Sequence, residues 1–132
     1  MLAFTYPGLW REDETGALAA ARYVSVTTFR HNGIGVATPV EFVMQDGSLY
    51  FRTLPDAGKV KRIRREPRVL VARCTMRGKL TGRKLAGIAT LLPPDETQAL
   101  LPAFEAKYGT LWRFLSRLRR PRSQGVRVDL TR

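Results

Sequence analysis

The chain has 132 residues, 44% of them hydrophobic, and a formal net charge of +12. These totals indicate one globular domain and exclude a disordered chain. The balance of 23 basic against 11 acidic residues predicts an anionic partner: nucleic acid, an acidic membrane surface or a polyanionic small molecule. No apolar run approaches the roughly 20 residues of a membrane-spanning helix. The N-terminal residues also lack the pattern of a signal peptide, so we expect a cytoplasmic protein.

Few residues offer chemistry of their own. Cys74 and His31 are the only cysteine and the only histidine, which excludes an internal disulfide and a Cys/His metal site. Cys74 lies in an apolar strand pattern, and we expect it to be a small buried hydrophobic residue. Paired carboxylates for acid–base catalysis are missing. If the protein is an enzyme, a bound cofactor is therefore expected to supply the reaction chemistry.

The first half of the chain predicts three strands joined by hairpin turns. Residues 1–20 form an N-terminal extension, and the alternating, β-branched residues 23–29 follow as the first strand. Asn32 and Gly33 supply a hairpin turn before a second strand over residues 34–44. Pro39 interrupts the hydrogen-bonding ladder of that strand, which indicates an edge, a bulge or a switch between sheets. A second turn over residues 45–48 leads to a third strand over 49–53.

The second half predicts a helix, two strands, a helical excursion and a closing strand. The strands cover residues 68–75 and 84–92, the excursion residues 94–120, and the closing strand residues 125–130. Within the excursion, the pattern predicts a helix over 95–108, kinked at Pro102 and ended by Gly109, and a second helix over 110–119. The single domain over residues 1–132 is therefore expected to be a small antiparallel barrel of six strands with helices packed outside.

The segment after the third strand predicts an anion-binding helix. Asp56 is a suitable N-cap, and Gly58 in the first turn leaves the free backbone N–H groups accessible. Lys59 and Arg62 are three residues apart and share a face. A solvated basic face is the plainer interpretation, but Gly58 costs roughly 0.5–1 kcal/mol relative to alanine in a helix. Two cations and a glycine at a helix start favour a bound phosphate.

Several co-linear segments resemble one known family. They are YVSVTTFR (23–30), NG (32–33), TPVEF (38–42), DGSLYFRT (46–53), GKVKRIR (58–64) and PRV (67–69). The tail with KYG (107–109), WRF (112–114) and GVRVDL (125–130) also fits. Together they resemble the pyridoxamine-5′-phosphate-oxidase-like split β-barrels, and most closely the branch of F420-dependent oxidoreductases of actinobacteria. The resemblance implies a mainly β fold, a six-stranded antiparallel split barrel that forms a homodimer with cofactor clefts at the subunit interface.

The resemblance also implies where a cofactor would bind. Residues near its phosphate would be Lys59 and Arg62, assisted by Thr53 and Gly58. Residues lining its flavin-like ring would be Thr38, Pro39 and Val40. Two positions depart from the family pattern: Glu41 stands where relatives commonly have an aromatic residue, and Ala57 replaces a frequent serine.

The net charge favours F420 over FMN or FAD, because the phosphate of F420 is followed by lactate and a polyglutamate tail. Lys61, Arg64 and the arginines of the C-terminal helix are candidate partners of that tail. The implied reaction is hydride transfer between the deazaflavin and a small electron-poor substrate. No catalytic residue and no metal site is predicted.

Two other functions stay open at this point. A carrier that binds F420, flavin or haem without turnover would use the same cleft. A basic nucleic-acid-binding barrel would use Tyr50 and Phe51, beside Arg52, as stacking platforms, although successive strand residues face opposite sides of a sheet.

Overall fold

The computed structural model describes residues 12–119 and 123–131. In chain order the elements are α1 (Glu12–Ala20), β1 (Tyr23–Phe29), β2 (Gly35–Val40), β3 (Phe42–Gln45), β4 (Ser48–Thr53), α2 (Gly58–Arg65), β5 (Arg68–Cys74), β6 (Leu85–Leu91), α3 (Pro94–Gln98), α4 (Leu101–Arg119) and β7 (Gln124–Leu130). The N-terminal part of the predicted extension, residues 1–11, lies outside the described residues. Among the described residues, none of the helices combines the length and apolar character that crossing a membrane requires.

Seven strands form one antiparallel sheet in the order β2-β1-β5-β6-β7-β4-β3. The two edge strands, β2 and β3, are separated in the chain by a single residue, Glu41. Opposite edges of a sheet this wide can be joined by one residue only if the sheet curls back on itself. The fold is therefore a curled antiparallel sheet of the split-barrel type, as expected.

The strand count differs from the expected six, because the predicted second strand is two strands. β2 pairs with β1, and Pro39 lies opposite Ser25 on an edge strand of the sheet, where proline is tolerated. After Glu41 the chain continues as β3, which pairs with β4. Pro39 thus marks an edge strand, and the switch between edges follows two residues later.

The hairpin turns form as their glycines predict. Gly33 has φ +85°, and the side chain of Asn32 accepts a hydrogen bond from the N–H of Ile34 at 3.0 Å. Asp46 and Gly47 both have positive φ, as the turn between β3 and β4 requires.

Two apolar clusters lie on opposite faces of the sheet. The first fills the barrel and contains the fully buried Phe42, Leu49 and Phe51. The second packs α4 on the outer face and contains Val43, Leu92, Leu100, Phe104 and Tyr108. Adjacent strand residues Phe42 and Val43 belong to different clusters because successive side chains point to opposite faces. Cys74 is buried, as its strand pattern predicts.

The helical excursion breaks at two places. The first break falls between α3 and α4, and Pro102 lies in the first turn of α4, where proline is tolerated, so the predicted kink at Pro102 is shifted by a few residues. The second break lies at Gly109, whose φ of +92° and ψ of −179° are not helical. α4 therefore consists of two helical parts, in agreement with the expected end at Gly109.

Candidate functional site

The chain enters α2 through a backbone turn rather than through a side-chain cap. The N–H of Ala57 donates to the carbonyl oxygen of Leu54 at 3.1 Å, and Ala57 is the N-cap residue. No side chain caps the helix. The prediction of Asp56 as N-cap is therefore wrong, since the turn carries the chain one residue further before the helix begins.

Gly58 makes room for the side chain of Arg62. A Cβ atom added to Gly58 would lie 2.9 Å from Nη1 of Arg62, so this guanidinium lies across the first turn of its own helix. The Nε of Arg62 donates to Oγ1 of Thr28 at 2.6 Å. Thr28 is completely buried. A hydrogen bond from inside the barrel thus orients Arg62 over the start of α2.

Lys59 lies beside Arg62 and near the end of β4. Its Nζ is 3.5 Å from Oγ1 of Thr53, the last residue of that strand. Burial, and then the charge of Arg62, lower the pKa of Lys59. The structure therefore brings Thr53, Gly58, Lys59 and Arg62 together.

The electrostatics at this helix start favour an anion. Cations near a helix N-terminus are destabilised by the positive end of the helix dipole, and α2 contains five basic residues and no acidic one. Glu66, directly after the helix, is bound to Arg68 with Nε and Oε2 3.0 Å apart. A phosphate would relieve the repulsion between Lys59 and Arg62 and would accept hydrogen bonds from both.

A basic depression lies beside this turn, and we call it the α2 cleft. It has a volume of about 440 Å³ and is lined by Arg30, His31, Asn32, Lys61, Arg62 and Arg65. None of these described lining residues is a carboxylate. The guanidinium of Arg65 donates to the carbonyl oxygen of Phe29, which fixes its position against the turn between β1 and β2. Among the residues predicted to contact the polyglutamate tail of F420, Lys61 lines this cleft and Arg64 does not. The arginines of the C-terminal helix were also predicted to contact it, but the side chains of residues 113–114 and 116–122 lie outside the described part of the chain.

The three residues expected along a flavin-like ring lie at the end of β2. Pro39 and Val40 line a second, larger cavity together with Thr53. Thr38 does not line it. The Oγ1 of Thr38 is buried and has no hydrogen-bond partner among the described residues, which leaves this hydroxyl available to a ligand.

The larger cavity, which we call the α4 cavity, has a volume of about 650 Å³. One wall comes from strand ends and the other from α4. Its lining residues are Arg22, Pro39, Val40, Glu41, Arg52, Thr53, Leu54, Phe104, Tyr108, Leu111, Trp112, Leu115 and Ser123. The volume falls within the range of roughly 300–1,000 Å³ that is usual for small-molecule sites.

The break at Gly109 shapes the aromatic wall of the α4 cavity. The ring centroids of Phe104 and Trp112 are 5.5 Å apart, and Tyr108 lies 6.0 and 6.2 Å from them. Residues eight apart on a straight helix are separated by about 12 Å along its axis. The non-helical backbone of Gly109 thus folds Trp112 back onto Phe104, so that three rings form one cluster.

Polar contacts connect this cluster to the closure point of the barrel. The hydroxyl oxygen of Tyr108 accepts the N–H of Phe42 at 2.9 Å and lies 2.8 Å from the carbonyl oxygen of Arg22. Burial raises the pKa of Tyr108 to about 12. The indole Nε1 of Trp112 donates to Oε1 of Glu41 at 2.8 Å. Glu41, where relatives commonly have an aromatic residue, here anchors an aromatic residue of α4.

Arg52 and Lys107 add positive charge around the rings. The guanidinium of Arg52 donates to Oγ of Ser123 and lies 5.8 Å from the centroids of Phe104 and Trp112. The Nζ of Lys107 lies 3.6 Å from the ring centroid of Phe42 and has no hydrogen-bond partner among the described residues. Burial, then the charge of Arg22, lower the pKa of Lys107 to about 8.

Sequence reasoning missed Thr28 and the residues of the α4 wall. The alternation of the first strand places Thr28 on the same side as Val24 and Val26, and a threonine on a core face needs a partner for its hydroxyl. The sequence therefore contains a signal for Thr28. It contains no comparable signal for Tyr108 and Trp112, because their hydrogen-bond partners are 66 and 71 residues away in the chain.

The two residues expected to stack on nucleic-acid bases lie on opposite faces of β4 and do not form one platform. Phe51 is completely buried in the barrel. Tyr50 packs against the α4 cluster. Phe51 therefore cannot stack on bases, and the partly buried Tyr50 already packs on the protein's own rings.

Comparison with known proteins identifies the family. Residues 12–131 match the pyridoxamine 5′-phosphate oxidase family, whereas no curated protein is significantly similar. A conserved hypothetical protein from Mycobacterium tuberculosis superimposes with a TM-score of 0.72 at 18% identity, over 98% of this chain and 87% of the other. An FAD-binding protein from Mesorhizobium loti gives 0.61 at 17% identity, over 91% and 87%, and a protein called F420 reductase gives 0.58 at 18% identity, over 88% and 92%. The chain belongs to the pyridoxamine 5′-phosphate oxidase family.

Proposed function

We propose that this protein is an oxidoreductase that binds F420 and transfers a hydride between the cofactor and a small electron-poor substrate. The observation that carries the proposal is the start of α2, where Lys59 and the Thr28-bound Arg62 lie close together and the first turn of the helix contains no acidic residue. Membership of the pyridoxamine 5′-phosphate oxidase family supports a phosphorylated redox cofactor at this position.

The residues present fit the chemical parts of such a cofactor. Lys59 and Arg62 would bind the phosphate, with the hydroxyl of Thr53 and the backbone at Gly58 assisting. Pro39 and Val40, which line the α4 cavity, would contact the ring. The hydroxyl of Thr38, which lacks a partner among the described residues, would donate to a polar atom of the ligand.

The α2 cleft is the reason to prefer F420 to FMN or FAD. Four cationic side chains line it, and Arg62 belongs both to the cleft and to the phosphate-binding turn. A chain of carboxylates that continues from the phosphate would find Lys61, Arg30 and Arg65 next to it. A plain flavin mononucleotide leaves these cations without a partner. This continuity of positive charge favours the deazaflavin.

The protein's own part in the reaction would be binding, orientation and the exclusion of water. When bound, the deazaflavin supplies a carbon that accepts or donates a hydride. The apolar side chains of Pro39, Val40 and Leu54, on the α4 cavity, would keep water from the ring face. We further propose that the protein acts in the cytoplasm as a homodimer with the cofactor at the subunit interface.

Cofactor titration tests this proposal. We expect purified protein to bind F420 with micromolar or lower Kd, and more tightly than FMN, FAD or haem. The double variant Lys59→Ala, Arg62→Ala should weaken F420 binding by at least about a hundredfold, because two charge-assisted contacts are lost. As a control, Lys84→Ala with Lys79→Ala removes two exposed cations elsewhere and should leave the affinity unchanged.

The outcomes separate the candidate functions. Turnover of reduced F420 with enones or quinones identifies an enzyme, whereas tight binding without turnover identifies a carrier. Preference for FMN, FAD or haem, or equal losses in both double variants, contradicts the proposal. Salt-sensitive binding to random oligonucleotides without any cofactor affinity would instead support a nucleic-acid-binding protein.

A further inference from the structure

We propose that His31 makes the affinity of the α2 cleft depend on pH, because a chain of anionic groups bound there holds a proton on this imidazole. Where the chain is the tail of F420, the inference rests on the proposed function. Where it is another polyanion, the inference depends on the cleft alone. The position of His31 on a fixed turn and the cationic lining of the cleft are the observations that carry it.

Two contacts between α2 and β1 hold one wall of the α2 cleft in place. The Nε of Arg62 donates to Oγ1 of the completely buried Thr28 at 2.6 Å. One turn further along the helix, the guanidinium of Arg65 donates to the carbonyl oxygen of Phe29. Both arginines also line the cleft. Their side chains are therefore ordered before a ligand arrives, so less conformational entropy is lost on binding.

The opposite wall is the turn between β1 and β2, which is held by backbone groups and by Asn32. The N–H of Arg30 donates to the carbonyl oxygen of Ile34 at 3.0 Å, and the N–H of Gly33 donates to that of Arg30 at 2.9 Å. Asn32 accepts the N–H of Ile34 at 3.0 Å. His31 is exposed on this turn and lines the cleft. Its side chain can therefore change charge, or be substituted, without loss of the turn.

Among the described residues that line the cleft, every charge that faces His31 is positive. These charges belong to Arg30 on the same turn and to Lys61, Arg62 and Arg65 on α2. Lys59 lies beside Arg62, and burial, then the charge of Arg62, lower its pKa. Such a lining attracts an anionic chain, and an anion next to an imidazole favours the protonated form.

The consequence for binding follows from linkage. Histidine is the side chain that ordinarily changes its charge between pH 5 and 8. A ligand that binds the imidazolium form more tightly must raise the proton affinity of the imidazole by the same factor. The affinity of the cleft for an anionic chain therefore rises as the pH falls through this range. The lysines and arginines of the lining keep their charge there and supply a constant attraction.

The imidazole itself provides a direct test. His31 is the only histidine of the chain, so proton NMR of the untagged protein follows its titration without ambiguity. The probe is N-acetyl-triglutamate, whose carboxylates remain almost fully ionised above about pH 5.5. At saturation it should raise the midpoint of the titration by about 0.7 pH, which corresponds to about fivefold tighter binding of the protonated form.

Two controls separate binding from general electrostatic effects. The neutral probe N-acetyl-triglutamine amide has the same length and should leave the midpoint unchanged. Sodium chloride at the ionic strength of the charged probe screens the cations of the cleft without occupying it, and should move the midpoint less.

The affinity must change together with the midpoint. Calorimetry at low salt should show about fivefold tighter binding of N-acetyl-triglutamate at pH 5.5 than at pH 8. His31→Gln should bind at both pH values as the parent does at pH 8, and His31→Arg as the parent does at pH 5.5. Arg77→Gln removes an exposed charge outside the cleft and should retain the pH dependence.

Several results would overturn the inference: an unmoved midpoint, a change that sodium chloride reproduces, equal affinity at the two pH values, a pH dependence that persists in His31→Gln, or no binding at about 10 mM probe. F420 that binds without moving the His31 midpoint would contradict the inference and leave the proposed cofactor supported. No binding of F420, with the expected results for N-acetyl-triglutamate, would refute the proposed function and support the inference.

Discussion

The hydroxyl oxygen of Tyr108 lies 2.9 Å from the backbone nitrogen of Phe42. Phe42 is the first residue of β3, directly after Glu41, where the chain crosses from one edge of the sheet to the other. A single side chain of α4 thus accepts the backbone N–H that follows the crossing. Through this contact the helix that walls the α4 cavity is attached to the closure of the barrel.

We expect Tyr108→Phe to destabilise the protein by about 1–3 kcal/mol, because the buried N–H of Phe42 would lose its acceptor. Urea unfolding followed by circular dichroism measures this change. Tyr50→Phe, on the neighbouring strand and outside this network, is the control and should cost less. Equal losses in the two variants would show that the hydroxyl of Tyr108 has no special role.

Gly58→Ala should separate stability from anion binding. The added Cβ displaces the flexible end of Arg62 rather than any backbone atom, so the fold should gain about 0.5 kcal/mol from helix propensity. Affinity for F420 should fall about tenfold, since Arg62 leaves the first turn. Urea unfolding and cofactor titration measure the two effects. Arg62→Ala should lower the affinity without the gain in stability, and undiminished affinity in Gly58→Ala would contradict the assigned position of Arg62.

Lys107 should make stability depend on pH in the alkaline range. Its folded-state pKa of about 8 lies below the ordinary 10.5. Between these values the unfolded chain holds the proton and the folded chain does not, so the free energy of unfolding rises with pH from about 8 to 10.5. Below pH 8 both states hold the proton, so the folded state bears the full free-energy cost of burying the charged amine of Lys107.

Lys107→Met should therefore stabilise the protein at pH 7, and its advantage should shrink as the pH rises towards 10. Because the side chain is only partly buried, we expect the gain to be on the order of 1 kcal/mol. Urea unfolding at pH 7, 8, 9 and 10 measures it, with the exposed Lys84→Met as control. A constant difference between Lys107→Met and the parent over this range would contradict the lowered pKa.

Gly125→Ala should destabilise the protein by about 1–3 kcal/mol. A Cβ at this position of β7 would lie 2.6 Å from Oγ1 of Thr97 and 3.2 Å from its Cα, and the N–H of Gly125 donates to the same hydroxyl. α3 would have to move off the sheet. Gly16→Ala on α1 is the matched control, because a Cβ there has nothing within 4 Å and should be neutral or stabilising. Thermal unfolding of the two variants compares them.

Local signals in the sequence predicted most of the strands. The alternation of residues 23–29 and the Asn32-Gly33 turn correspond to β1 and its hairpin. The run over residues 34–44 was mistaken for one strand, because β2 and β3 have the same residue preferences and only pairing tells them apart. Periodicity shows which face a residue takes, but it does not show which neighbour a strand chooses.

The candidate site likewise has one part that local sequence predicts and another part that it does not predict. Lys59, Gly58 and Arg62 could be selected because helix geometry relates residues three and four apart. Thr28, which orients Arg62, is 34 residues away, and Glu41 meets Trp112 across 71 residues. Such contacts depend on the sheet order and on the break at Gly109. Neither the sheet order nor the break's effect on Trp112 follows from local sequence, so local sequence does not predict the α4 cavity.

The position of β7 between β6 and β4 has a consequence for synthesis of the protein. The β3–β4 hairpin reaches the rest of the sheet through strand pairing with β7. A nascent chain on the ribosome can assemble β1, β2, β5 and β6 early, but until residues 124–130 emerge, the edges of β4 and β6 remain without partners. Unpaired edges of this kind invite association between chains. Protection of these two edges by chaperones until residues 124–130 can pair should therefore influence how much protein reaches the native state.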